Sequence, residues 1–232
     1  MNLLHNGLVA QLPPTDQGLL LRRCEHVELK AGDILSAPGA THGHVYFLLS
    51  ASVALVVRNG VGSGLAVGLT GQEGAVGLQF ALGLGAGHFT LLVQSSGTAF
   101  RTEGAVLQRL SNRRLAMLRV FAAYFWEFSQ EVAELAAAAQ VQDIQARLAR
   151  WILLSQARTH QAELHLTHAH LADMLGVRRA GVTLAAKNLK DMGLVDYRRG
   201  HIEILDFVGL SKLTQAQQGA SSALLGDGHG DE

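Results

Sequence analysis

The pattern of apolar and polar positions divides the chain into three parts, and the first predicts a β-structure. From about Glu25 to Arg101, short apolar runs alternate with recurring glycines, which is typical of many short strands joined by turns. The longest run, Val45 to Val57, is interrupted by serines and predicts two strands that separate at Ser50–Ser52. It is shorter than the about 20 residues that a bilayer span needs. We therefore expect an antiparallel β-roll or barrel.

The second part, from Asn112 to about Ala139, has the periodicity of a long helix. Apolar side chains recur at alternating intervals of three and four, the spacing of a coiled-coil seam. They are Leu118, Phe121, Phe125, Phe128, Val132, Leu135 and Ala139. A helix that packs on its own domain is the alternative, because three phenylalanines also suit an intrachain core. Since the repeat leads directly into the next unit, we predict that residues 118 to 135 form a homodimer interface.

The third part contains two short amphipathic helices that meet at a sharp turn. After a helix over Val141–Arg158, the segment Thr167–Leu189 carries a helix start at Thr167 and a turn at Gly176. Leu166 and Leu171 flank Thr167 as a hydrophobic staple. A helical hairpin with solvated arginines would be the simpler interpretation, but the number of matched positions favours a helix-turn-helix.

Charge at the second helix points to a polyanion. That helix opens with Arg178 and Arg179, where the helix dipole disfavours cations unless an anion is bound. A strand with alternating polarity, His201–Leu205, follows a short partner and a turn that holds Arg198, Arg199 and Gly200. A basic hairpin tip beside a recognition helix suits contact with DNA phosphates. Asp206 is expected to cap a final helix, Phe207–Thr214.

The segment LTHAHLADMLGVRRAGVTLAAKNLKDMGLVDYRRGHIEILD resembles the winged helix-turn-helix of Crp/Fnr-type transcription regulators. Upstream, HVELKAGDILSAPGATHGHVYFLLSASVALVV is similar to the start of that family's cyclic-nucleotide-binding-like β-roll. The resemblance covers about residues 20 to 213. It implies an α+β protein with an antiparallel β-roll sensor (1–111), a dimerisation helix (112–139) and a winged helix-turn-helix (140–214). Residues 215–232 are small and polar, so we expect a disordered tail.

The resemblance also implies a function. We expect a cytoplasmic, homodimeric regulator that binds a palindromic operator in double-stranded DNA, works with RNA polymerase and has no membrane association. The expected DNA-binding residues are Thr167, His168, Arg178, Arg179, Gly181, Leu184, Lys187, Arg198 and Arg199. Ala180 and Leu184 depart from the pattern of many members, so the operator need not match the commonest half-site. The alternative is a ligand-binding module that acts through a protein partner after its DNA-binding head degenerated.

The sequence speaks against cyclic AMP as the effector. In nucleotide-binding members a Gly-Glu element and a downstream arginine hold the phosphate, and the matching positions here are Glu73 and Gly74, then Phe89 and Thr90. No Lys or Arg lies between Arg58 and Arg101, so the phosphate would lack its cation. Haem held by a histidine, another small molecule, or no effector at all stay open, and the cofactor is unknown.

Composition changes this picture little. The net charge is 0, yet residues 1–139 carry nine basic and nine acidic side chains, whereas 140–213 carry ten and seven. A single cysteine, Cys24, excludes an intrachain disulfide and the several-cysteine cluster of iron–sulfur regulators. No signal peptide is apparent. His42 and His44 lack the nearby carboxylate of a cupin metal site and no nucleophile elbow occurs, so we expect neither a metal site nor an enzyme.

Overall fold

A computed structural model of the chain describes residues 3–58, 64–84, 86–161 and 163–215. The chain divides into two compact units, one made of Met1–Asn59 with Ala66–Val132 and the other of Gly60–Leu65 with Ala133–Glu232. Among the described residues no helix is long and apolar enough to cross a membrane. Of the recurring glycines in the first part, Gly60 and Gly62 lie outside the described residues.

The order of elements follows the three predicted parts. A short 3-10 helix, Leu3–His5, comes first. The helices are α1 (Gly7–Ala10), α2 (Pro14–Leu21), α3 (Leu78–Leu82), α4 (Gly104–Ser111), α5 (Leu115–Val141), α6 (Ile144–Thr159), α7 (His168–Leu175), α8 (Arg179–Asp191) and α9 (residues 207–215). The strands are β1 (Glu25–Leu29), β2 (Ile34–Ser36), β3 (His44–Leu48), β4 (Ser52–Val57), β5 (Leu65–Thr70), β6 (Ala75–Val76), β7 (Thr90–Ser95), β8 (Gly97–Glu103), β9 (Glu163–His165), β10 (Val195–Arg198) and β11 (His201–Ile204).

The first unit is the predicted antiparallel β-structure, built from two four-stranded sheets. Their strand orders are β1-β8-β3-β6 and β2-β7-β4-β5. The break predicted at Ser50–Ser52 is confirmed, because β3 and β4 lie in different sheets. In β3, Val45 and Phe47 face one hydrophobic core while Tyr46 and Leu48 face a second. A strand buried on both faces explains why this run is continuously apolar rather than alternating.

The N-terminal segment is anchored in the first unit by Asn6. Its side chain is fully buried and caps α1 by accepting a hydrogen bond from the Val9 amide at 3.0 Å. Its Nδ2 donates to the carbonyl oxygens of Leu48 and Gly74 at 2.8 and 2.7 Å. Because a buried amide needs all of these partners, Asn6 ties α1 to two separate parts of the β-roll.

The long helix packs its apolar stripe on its own unit, which corrects one predicted interface residue. Phe121 is 0% exposed and belongs to the same core as Phe47 and Met117, so it has no surface left for a second chain. Phe125 packs partly against that core. The intrachain alternative therefore accounts for this half of the stripe. The opposite face carries Trp126, which is 68% exposed.

The second unit combines α6, α7 and α8 with a three-stranded sheet of order β10-β11-β9. The helix predicted from Val141 begins instead at Ile144, because Asp143 caps it by accepting from the Ala146 amide at 2.8 Å. Asp206 caps the last helix, as predicted, through the Gly209 amide at 2.9 Å. That helix extends to residue 215, which the sequence had placed in the tail. The rest of the predicted tail, 216–232, lies outside the described residues.

Candidate nucleic-acid interface

The helix-turn-helix forms as the sequence predicts. Thr167 caps α7 by accepting from the His170 amide at 3.2 Å, and Gly176 ends α7 with a φ of 64°. Leu166 and Leu171 are both buried at this helix start, as the predicted staple requires. On α8 the apolar positions toward the interior are buried: Val182, Ala185, Ala186 and Leu189. The opposite face of α8 is consequently fixed toward solvent.

That solvent-facing surface of α8, the recognition helix, carries most of the predicted contact residues. Arg178 is the N-cap residue and makes no side-chain capping bond within the described chain. Arg179 and Lys187 are exposed, and Leu184 is 62% exposed. The first turn contains no acidic side chain. Exposed amides, helix dipole and two arginines together make this N-terminus suited to an anion.

The wing turn is a two-residue hairpin loop formed by Arg199 and Gly200. Both residues have positive φ, 50° and 87°, as a type I′ turn requires. Asparagine or glycine usually occupies the first position, since other side chains are disfavoured there by about 1–2 kcal/mol. Arg199 thus occupies a position whose positive φ is unfavourable for an arginine. We infer that the exposed side chain has a role that offsets this cost.

Arg198 is less available than the sequence suggested. Its Nε lies 2.6 Å from Asp196 Oδ2, and Asp196 also accepts a hydrogen bond from Lys190 at 2.8 Å. The hydrogen bond from Lys190 and the charge of Arg198 lower the pKa of Asp196. Arg198 keeps 81% of its side chain exposed. A phosphate contact by Arg198 would therefore compete with an internal ion pair.

His168 packs against the recognition helix and the wing, and its assignment as a DNA contact stays a prediction. Its ring stacks on Tyr197 with centroids 4.4 Å apart, and its Nδ1 lies 3.0 Å from the Thr183 hydroxyl. Its Nε2 is buried with no hydrogen-bond partner among the described residues. Burial, followed by the charge of Arg179, lowers the pKa of His168. His168 therefore joins α7, α8 and the wing and acts as a positioning residue.

Gly181 packs on α6, because a Cβ at this position would approach Ile144 Cδ1 to 2.9 Å. Its assignment as a DNA contact stays a prediction. Sequence reasoning also missed Arg147, whose guanidinium donates to the Leu175 carbonyl at the end of α7. Burial lowers the pKa of Arg147. Thr183, on the exposed face of α8, was missed as well, and no motif in the sequence marks either residue.

The first unit contains a cavity of about 300 Å³ where strands of the roll meet α5. Its walls are formed mainly by apolar side chains, among them Leu55, Val67, Phe89, Leu91, Phe125 and Phe128. Among the described residues, those that line it include no Lys, Arg or His. The Tyr124 hydroxyl lies 3.4 Å from that of Thr70 at its wall.

Three of the four residues predicted for the effector pocket do not line this cavity. Phe89 does, whereas Glu73, Gly74 and Thr90 lie outside it. The Glu73 carboxylate instead accepts from the Gly71 amide at 2.9 Å within its own loop. Gly74 lacks a side chain because a Cβ there would overlap Tyr124 of α5. Thr90 is buried in β7. The Gly-Glu element therefore does not line this cavity.

Comparison with known proteins agrees with this geometry. Residues 146–213 match the family described as the Crp-like helix-turn-helix domain. A Crp/Fnr-family regulator from Eubacterium rectale is 17% identical, with a TM-score of 0.70 over 91% of this chain and 99% of that one. The c-di-GMP-responsive global regulator of Xanthomonas campestris is 16% identical, with a TM-score of 0.68 over 84% and 100%. No curated protein sequence matches this chain significantly.

Fold and site together define a two-part architecture, a β-roll followed by a winged helix-turn-helix. Residues 146–213 match the Crp-like helix-turn-helix domain, and the chain is similar in fold to the solved Crp/Fnr-family structures. The resemblance read from the sequence is thereby confirmed.

Proposed function

We propose that this protein is a cytoplasmic, homodimeric transcription regulator of the Crp/Fnr type that binds a palindromic DNA operator. The exposed face of the recognition helix carries the proposal, since Arg178, Arg179 and Lys187 lie there with no acidic residue in the first turn. Arg199 on the wing turn adds a fourth exposed cation. Arginines are present on both the recognition helix and the wing turn. Their presence argues against the alternative of a degenerate DNA-binding head that acts only through a protein partner.

The proposed DNA contacts form two groups, residues that read bases and residues that bind phosphates. Arg179 lies in the first turn of α8, where side chains reach base edges in the major groove, and its guanidinium can bind guanine through two hydrogen bonds. Leu184 offers an apolar contact to a thymine methyl. Arg199, Lys187 and Thr167 suit phosphates, which orient the protein without reading sequence.

Fluorescence anisotropy tests this division, using an operator selected from random duplexes and a scrambled duplex at several salt concentrations. Arg179→Ala should weaken operator binding by about 1–3 kcal/mol and reduce discrimination. Arg199→Ala should weaken both duplexes equally and lower the salt slope by about one. Lys212→Ala, which removes a cation outside α8 and the wing, is the matched control. Equal losses on both duplexes for Arg179→Ala would contradict base reading.

We also propose that the dimer uses the exposed face of α5. The face includes Leu115, 62% exposed, with Ala122 and Trp126 seven and eleven residues further along. Spacings of seven and four keep these residues on one side of a helix, as in a coiled-coil seam. Leu118, Phe125, Phe128, Val132 and Leu135 remain partly exposed and stay candidates at the edge of this contact.

The cavity supports an effector that is not cyclic AMP. A buried phosphate requires a cation, and the lining residues provide none. An uncharged, mainly apolar molecule that takes one hydrogen bond from Tyr124 or Thr70 suits these walls. With a cavity of about 300 Å³, we favour this effector class over haem and over the absence of an effector. We expect RNA polymerase to be the partner on DNA.

The neutral dye N-phenyl-1-naphthylamine tests the cavity directly. We expect saturable fluorescence enhancement that is weakened in Leu91→Trp, which fills the space. It should be unchanged in Leu65→Trp, a change at an exposed position of β5 in the same sheet. Cyclic AMP should not compete at millimolar concentration. Displacement of the dye by cyclic AMP, or equal binding by both variants, would contradict the proposed effector class.

A further inference from the structure

The outer face of the wing sheet brings together two histidines and a carboxylate from two strands. His165 of β9 stands directly opposite His201 of β11, and Glu163 is two residues before His165. The alternating neighbours Leu164 and Ile202 are buried in the interior, 2% and 0% exposed. Since side chains alternate along a strand, the His/His/Glu cluster (Glu163, His165 and His201) must share the solvent-facing side.

The distances within this cluster are short. One ligand atom from each residue lies within 4.8 Å of the other two. His201 Nδ1 is 2.8 Å from Glu163 Oε1, and the two imidazole rings have centroids 4.3 Å apart. Packing of apolar surface does not explain why these polar rings meet, because the cluster is exposed: His201 keeps 46% of its side chain accessible and Glu163 keeps 56%.

We propose that the His/His/Glu cluster is a binding site for a divalent transition-metal ion, with Zn²⁺ as the best match. Two imidazoles and one carboxylate are the ligand set of open three-ligand zinc sites, with bonds of about 2.0–2.2 Å. Tetrahedral geometry then places ligand atoms about 3.3 Å apart. Small rotamer changes of these exposed side chains can reduce the separation of the ligand atoms from at most 4.8 Å to that value. Water, or the carboxylate of Glu203 opposite Glu163, can complete the coordination.

Other charged side chains lie on the same face of the wing sheet. Arg198 pairs with His201 in the register of β10 and β11 and would oppose a cation, but it is already bound to Asp196. Asp196 and Glu203 stand opposite each other and add negative charge. Hard ions such as Mg²⁺ and Ca²⁺ prefer all-oxygen ligands, so the paired imidazoles select for zinc-like ions.

Metal binding here would have a structural consequence. The ion would cross-link β9 to β11 at His201, the first residue after the Arg199–Gly200 turn. It would thereby fasten the wing hairpin to the strand that precedes α7. The sequence does not mark this site, because His201 lies 36 residues after His165 and the three residues match no spacing motif.

Titration of the untagged full chain with Zn²⁺ by calorimetry tests the site, together with Co²⁺ absorption spectra and thermal unfolding. The wild-type protein should bind one Zn²⁺ at this site, give the intense visible bands of tetrahedral Co²⁺, and unfold at higher temperature with zinc. His165→Ala and His201→Ala should each reduce affinity by roughly tenfold or more and remove the Co²⁺ bands. His26→Ala, an exposed strand histidine of the other unit, is the matched control.

Glu163→Gln supplies a milder test, because it preserves size and removes only the charge. It should weaken Zn²⁺ binding while circular dichroism stays native. The proposal fails if the wild-type protein does not bind Zn²⁺ at micromolar concentration. It also fails if zinc affinity and the Co²⁺ bands are unchanged in both folded histidine variants. None of these measurements involves DNA, so the result is independent of the proposed regulatory function.

Discussion

Trp126 offers the sharpest test of the proposed assembly. The side chain is 68% exposed on the face of α5 that points away from the β-roll core. A tryptophan covers about 150–250 Å² when fully buried, so roughly 100–170 Å² remains for a partner. At about 25 cal/mol per Å², covering that area contributes about 2.5–4 kcal/mol per chain, and a twofold interface counts it twice.

Trp126→Ala should therefore weaken dimerisation strongly. Because alanine retains part of the contact and a partner covers the side chain only partly, we expect a loss of at least about 3 kcal/mol in the dimer. This loss corresponds to about a hundredfold in Kd. Sedimentation velocity over a range of concentrations measures it. Phe125→Asp is a poorer probe, because Phe125 packs partly against its own core and the charge would destabilise the unit itself.

Leu184→Ala is the matched control, since Leu184 is similarly exposed but lies on the recognition helix. It should change operator affinity and leave the dimerisation constant unchanged. The reasoning is refuted if Trp126→Ala keeps the wild-type dimerisation constant with native circular dichroism. A wild-type protein that stays monomeric at micromolar concentration would refute it equally.

Three further predictions follow from local geometry. Arg199→Asn should raise the free energy of unfolding by about 1 kcal/mol, because asparagine tolerates positive φ, while anisotropy shows weaker binding to every duplex; a loss of stability would contradict the turn assignment. Burial lowers the pKa of His168 and His170, so the unfolded chain binds more protons and stability should fall as the pH drops below about 6.5. Urea unfolding across this range should show a smaller decline for His170→Gln, and an identical decline would contradict the cause. Burial raises the pKa of Cys24 to about 12, so iodoacetamide should label it slowly until the protein unfolds; rapid labelling of native protein would show an accessible thiolate.

The helix-turn-helix could be predicted closely because its signals are local. Thr167, Gly176 and Arg178 each act within a few residues, through a cap, a turn and a helix start. The two strands predicted within Val45–Val57 were also confirmed, since their break is marked by serines. Strand β9 was missed because three residues, Glu163–His165, carry too little periodicity to be recognised.

Partner choice along α5 could not be predicted from spacing. A stripe at intervals of three and four shows that one face is buried but does not say by which chain, and Phe121 is buried by its own. The packing of His168 and Gly181 could not be predicted for a related reason. Their neighbours Tyr197 and Ile144 come from distant segments of the chain. The lining of the cavity likewise depends on tertiary contacts rather than on any motif.

The anchor formed by Asn6 also governs how this protein ages. An Asn-Gly pair deamidates when the glycine amide nitrogen attacks the asparagine side-chain carbonyl, but here the Gly7 amide is bound to the Gln72 carbonyl at 2.7 Å. The reaction can proceed only in molecules whose N-terminal segment has opened. The aspartate or isoaspartate product can no longer donate to the Leu48 and Gly74 carbonyls, so the event leaves two buried acceptors unsatisfied. The deamidated fraction of stored protein, measured by mass spectrometry, would thus rise with the population of molecules in which this segment is open.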